Sequence, residues 1–210
     1  MNRITRRAAI KSTLATGAAV WAGTTRRTVR AESANSKLNI ALVGLGGQGG
    51  GNLKNVSSQN IVALCDVDDQ RAGNAYQRFP KAKKFYDFRR MFDQMEQQID
   101  AVVVSTPDHT HFHPSMIALQ LGKHLYCEKP MAHSVWEIRK MTELAAKQGV
   151  ATQLGVQRHT LENVHRVVEL IQTGAIGRVT ECHCWVGGDR GMPEMPSEKP
   201  VPAHLNWDLW

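Results

Sequence analysis

The sequence predicts an α/β protein built on a doubly wound parallel sheet. Three observations carry this. Short runs that are apolar along their whole length alternate with stretches that are apolar on one helical face only. Continuous apolar runs belong to strands buried on both sides, which requires helices on both faces of the sheet. The first run ends in glycines and the second in acids, placing turn and ligand chemistry at strand ends, where open α/β sheets bind their ligands.

The elements follow in order. LNIALVG (residues 38–44) is the first strand, and a helix opens in the glycines beyond it. NIVALCDVD (60–68) is the second strand, KKFYD around Phe85 a weaker third, and IDAVVVSTP (99–107) the clearest of all. KHLYCEKP (123–130) and VATQLGVQ (150–157) are the fifth and sixth. A helix over 113–121 carries Met116, Ile117 and Leu119 and stops at Gly122. A helix over 134–148 carries Val135, Ile138, Met141 and Ala145 at helical spacing, with Ser134 as N-cap and Gly149 as the stop. A helix over 161–173 places Val164, Val167, Val168 and Ile171 on one face ahead of Gly174. Past Gly177 the pattern changes. RVTECHCWVGG alternates with period two, as the first strand of a different sheet would, and Pro193, Pro196, Pro200 and Pro202 then mark a long loop. One strand cannot bury its own face, so a second domain is expected to begin here and not to finish. The organisation predicted is a leader over 1–31, the sheet domain over 32–157, and a linking helix with an incomplete second domain over 158–210.

Composition narrows the partners. The formal charge of +7 first suggests nucleic acid, but residues 1–31 hold seven basic groups and no acid, and beyond them positive and negative charges balance. The basicity is an address, not a binding face, and no nucleic-acid partner is expected. TRRAAIK sets an arginine pair, Arg6–Arg7, before the small apolar run 12–23. That run is too short to span a bilayer, which takes roughly 20 residues. This is the layout of an export signal of the twin-arginine type, with cleavage after Ala31; a disordered basic tail is the plainer alternative. Cys65 and Cys127 fall within strands and read as packed thiols. Cys182 and Cys184 flank His183 without a CxxC pair, so packing is preferred there over zinc. In HTHFH, the residues His109, His111 and His113 lead into a helix and do not share a face, which argues against a metal site.

VGLGGQGG supplies GxGxxG through Gly44, Gly46 and Gly49, after a strand and before a helix, with Asp66 closing the next strand. This is the context of a dinucleotide fingerprint. Gly44 permits the turn, Gly46 lets amides approach a pyrophosphate, and Gly49 allows helix and strand to touch. The phosphates would sit at the helix N-terminus. Asp66 would accept the adenine-ribose hydroxyls and repel a 2′-phosphate, favouring NAD; Arg71 nearby leaves NADP open.

VGLGGQGG, LCDVD, STPDHTHF, YCEKPMA and GVQRH…GAIGRV stand in the order found in the Gfo/Idh/MocA oxidoreductases, which this chain resembles over residues 38–179, with NWDLW extending the resemblance to the last residue. The resemblance implies a Rossmann domain followed by an open-faced antiparallel sheet that forms the substrate wall and oligomer contacts. It implies hydride transfer between NAD(P) and a sugar or polyol carbon, and passage through the twin-arginine translocase with the cofactor bound. Thr106, Pro107 and His111 would line the cofactor near the nicotinamide, Glu128 would contact the nicotinamide ribose region, and Gln157 and Arg158 would close the cleft. Lys129 would be the catalytic lysine, before a Pro130 that is often cis. Asp108 stands where asparagine is common. Burial and a cationic nicotinamide would lower the Lys129 pKa so that it could take a proton. A second EKP, Glu198 to Pro200, lies in the proline-rich loop and has no such context. Two further readings follow: a glycoside hydrolase of the same family that works by transient oxidation, and a non-catalytic cofactor-binding fragment.

Overall fold

The continuous apolar runs become six parallel strands in the computed structural model, which describes residues 37–185, 187–188 and 197–210. The predicted leader lies outside the described residues. The strands are β1 (Asn39–Val43), β2 (Asn60–Cys65), β3 (Lys83–Phe85), β4 (Ala101–Val104), β5 (His124–Glu128) and β6 (Thr152–Gly155). Their order in the sheet is β3-β2-β1-β4-β5-β6, and every neighbouring pair is parallel. The chain therefore starts mid-sheet, runs out to one edge and returns to the other side of β1. The gap between the ends of β1 and β4 is the switch point where such sheets bind ligands.

Among the described residues six α-helices accompany the strands: α1 (Gln48–Asn55), α2 (Asp69–Arg78), α3 (Phe88–Met95), α4 (Phe112–Gln120), α5 (Val135–Gln148) and α6 (Glu162–Gln172). One core gathers Met91, Phe92, Ala118, Leu119 and Met141 from α3, α4 and α5 on one face of the sheet. The other gathers Leu53, Ala72 and Ala75 from α1 and α2 against Ile40, Leu42 and Leu64. The predicted caps of α5 are present. Ser134 and Glu137 form a reciprocal capping box, and Gly149 ends the helix in the left-handed conformation.

The structure adds two helices that the sequence reading did not name. α2 buries only Ala72 and Ala75, whose small side chains leave little apolar period to see. α3 is eight residues long and buries Met91, Phe92 and Met95 behind an Asp87 cap. The structure also corrects an expectation. Residues 178–185 form no strand, and Val179 and Trp185 are exposed. A strand needs a neighbour to satisfy its backbone, and among the described residues none runs beside this one. Val186, Pro193 and Pro196 lie outside the described residues. Finally, residues 204–210 return to the sheet domain, and residues 37–210 form one unit.

Candidate functional site: the cleft at the switch point

A cleft of about 470 Å³ opens at the switch point, within the range of roughly 300–1,000 Å³ usual for small-molecule sites. Its floor is the glycine turn. Gly44 has φ of +87°, and a Cβ there would lie 2.5 Å from the Ser105 carbonyl oxygen, so only glycine fits between β1 and β4. A Cβ on Gly49 would lie 2.2 Å from the Gly44 carbonyl oxygen. Its absence lets α1 lie directly on the turn, in spite of the glycines that weaken this helix. Gly46, Gly47 and Gln48 line the cleft, and no side chain caps the start of α1. The positive end of that helix is therefore open to an anion.

Asp66 stands at the end of β2 on the cleft wall. Its Oδ2 accepts the Leu45 N–H at 2.7 Å and its Oδ1 accepts the Asp68 N–H at 3.0 Å. Burial pushes its carboxyl above the usual aspartate range, against the pull of those two amides. Arg71 also lines the cleft, its Nε 2.9 Å from where a Gly46 Cβ would be. Thr106 and Pro107 form the wall after β4. Among the described residues, Thr106 Oγ1 is the buried side-chain oxygen without a hydrogen-bond partner. A buried hydroxyl left unpaired on a cleft wall is what a ligand would satisfy. Open amides, a carboxylate and an orphan hydroxyl together fit a dinucleotide.

The other predicted residues lie behind or beside this wall. His111 is 1% exposed, and its Nδ1 and Nε2 face the carbonyl oxygens of Pro130 at 2.6 Å and Thr106 at 2.7 Å. Its ring nitrogens are occupied by protein carbonyls, so it ties the β4 and β5 loops together rather than lining the cleft. Glu128 is 4% exposed and is not on the cleft wall. Its Oε1 accepts from Asn52 Nδ2 at 2.9 Å, from the Tyr126 hydroxyl at 3.3 Å and from Gln157 Nε2. Asn52 also donates to Ser105 Oγ at 2.9 Å, so this network joins α1, β5 and the end of β6. Gly155 makes room for it, because a Cβ there would be 2.7 Å from the Glu128 carboxyl carbon.

Lys129 follows it, is exposed and is not on the cleft wall, so burial within the described residues does not reach it. Its peptide bond to Pro130 is cis. Gln157 is directed into the Glu128 network, Arg158 is exposed, and neither is on the cleft wall. Asp108 is exposed in the short turn Asp108–Thr110. Among the described residues no histidine, cysteine and carboxylate group could hold a metal ion.

The sequence reading missed the Asn52 network and the last seven residues. Asn52 could have been found as a polar residue one turn beyond Gly49, on the face of α1 that meets the sheet. Residues 204–210 carried no periodic signal. They reach back by an antiparallel bridge between Asp68 and Leu205, and Leu205, Trp207, Leu209 and Trp210 line the cleft.

Comparison with known proteins agrees with this geometry. The model of the Gfo/Idh/MocA family, described as an oxidoreductase family with an NAD-binding Rossmann fold, matches residues 38–156. Inositol 2-dehydrogenase from Rubrobacter xylanophilus is 32% identical over 149 residues, covering 68% of this chain and 42% of that protein. Among solved structures, apo scyllo-inositol dehydrogenase from Lactobacillus casei is 27% identical with a TM-score of 0.60, over 69% of this chain and 44% of that one. GenD2 from gentamicin A biosynthesis, solved in complex with NAD, is 22% identical with a TM-score of 0.60, over 67% of this chain and 40% of that one; this likeness is one of fold. The chain spans less than half the length of these relatives.

Proposed function

The chain belongs to the Gfo/Idh/MocA oxidoreductase family, whose fold binds NAD, and from that premise we propose that it is the cofactor half of a dehydrogenase acting on a sugar or polyol, with Lys129 as the acid/base. The observation that carries the proposal is the His111 bridge. Through it the exposed Lys129–Pro130 loop is held against Thr106, whose orphan hydroxyl marks the cofactor wall. The names of the relatives, inositol dehydrogenases among them, support a polyhydroxylated substrate.

The turn at Gly44, Gly46 and Gly47 and the start of α1 would hold the pyrophosphate, Asp66 the adenine ribose, and Thr106 the part of the cofactor nearer β5. The bound nicotinamide supplies a hydride acceptor. The protein would then have to place the alcohol and receive its proton, and Lys129 Nζ would be the group that takes it. Asp66 favours NAD over NADP because its carboxylate would face a 2′-phosphate. The Arg6–Arg7 pair and the short apolar run support export by the twin-arginine route.

Lys129→Ala tests the assignment in the catalytically active form of the protein. NAD affinity should stay within about twofold, while kcat for polyol oxidation, followed by NADH absorbance, falls by about 10²- to 10⁴-fold. A variant that turns over like the parent removes Lys129 from the chemistry.

A further inference from the structure

Residues 204–210 cross the mouth of the cleft as a strap pinned at both ends. At one end the Asn206 N–H donates to the Val67 carbonyl at 2.8 Å, and the Asp69 N–H donates to the His204 carbonyl at 3.0 Å. The His204 ring reinforces this end through Nδ1, 3.0 Å from Asp68 Oδ1. At the other end His109 Nε2 donates to the Trp210 carbonyl oxygen at 3.2 Å, and its ring meets the Trp210 indole edge-on at 5.2 Å. The strap therefore runs from the loop after β2 to the loop after β4. Asp66, the ribose anchor, closes β2 immediately before the first attachment. What lies outward of that ribose, between those two loops, is the place of the base.

The site assembled so far serves every part of a dinucleotide except that base. The glycine turn meets the phosphates, Asp66 the ribose and Thr106 the far half. Trp207 and Trp210 both line the cleft, stacked on one another at 5.4 Å with 11° between their planes. They remain 56% and 48% exposed, so the strap holds large aromatic surface open to solvent rather than folding it into a core. A planar purine is recognised above all through its faces, and indole is a strong stacking surface for it.

We propose that the strap is a wall of the NAD site and that Trp207 and Trp210 are binding residues for the adenine half of the cofactor. This rests on the reading of the cleft as a dinucleotide site. The test uses the whole chain, with NAD and ADP-ribose as probes. Calorimetry should show both binding to the parent, and both weakened about tenfold or more by Trp207→Ala or Trp210→Ala. Trp207→Phe and Trp210→Phe, which keep an aromatic face, should recover most of that loss. Saturation-transfer NMR should place the adenine protons of ADP-ribose closest to the protein in the parent and show their share of the signal falling in the alanine variants. Alanine variants that bind ADP-ribose like the parent overturn the proposal, as does a loss that phenylalanine does not recover, or an unchanged adenine share of the signal. If the parent itself binds neither probe, the cofactor reading falls with it.

Discussion

Asp66 is the residue on which cofactor choice turns, and its environment makes a pH prediction. Its carboxyl is raised above the usual aspartate value by burial. Only the ionised form accepts both ribose hydroxyls and repels a 2′-phosphate. NAD affinity should therefore be full at neutral pH and fall as pH drops through a midpoint higher than an ordinary aspartate would give. Asp66→Asn should weaken NAD binding by about 10- to 100-fold, in keeping with the loss of charge-assisted hydrogen bonds. It should also flatten this acid limb and narrow the gap between NAD and NADP. Calorimetric titration across the acid range reads all three effects. At this scale the sequence was legible where chemistry is local. Gly44, Gly46, Gly49 and Asp66 are identifiable because a turn and a strand end dictate them by spacing. His111, Glu128 and Gln157 were named from the order of the motifs, and their directions were not readable from the sequence. Period two says that Glu128 and Lys129 face opposite ways and does not say which of them is buried. Only the sheet partners decide that, through Asn52 on α1 and Gly155 on β6.

Among elements, the central strands β1 and β4 were legible because burial on both faces writes an unbroken apolar run, which the edge strands β3 and β6 lack. α4 and α5 were legible because they carry large side chains at helical spacing. α2 was not, since two alanines suffice to seat it. The strap could not be read as an element at all. Its order comes from contacts across 136 residues of chain, between Asp68 and His204, and across 101, between His109 and Trp210. The His204 and Asp68 pairing also leaves a mark on the carboxyl. Burial alone would raise it, but the Arg71 N–H, the His204 ring and the Gln70 N–H hold it below the usual range. The docking of the strap can be tested separately from its indoles. Asn206 has φ of −81°, within reach of proline, and its N–H donates to Val67. Asn206→Pro removes that donor and should weaken docking by about 1 kcal/mol. The expected result is faster amide exchange at Asp69 and Leu205, with exchange in β1 and β4 unchanged.

For the whole molecule, the family and the architecture were legible from the order of the motifs, whereas the return of residues 204–210 onto the first domain was not. The export leader expected over residues 1–31 makes its own prediction. Replacing Arg6 and Arg7 by lysine should leave the protein on the cytoplasmic side as an uncleaved precursor, as read by cell fractionation and intact mass; normal export of that variant would remove the twin-arginine route, and a parent that is itself not exported would argue for the basic-tail reading. The His111 bridge also acts at this scale. One imidazole spans two loops from successive strands, with its two nitrogens within hydrogen-bond distance of one carbonyl oxygen on each loop. A short, stiff ring with a nitrogen on each of two edges suits that span. Exchanging the ring would free the loop that carries Lys129 from the loop that carries Thr106, whereas the surface around Lys129 can change without touching this contact.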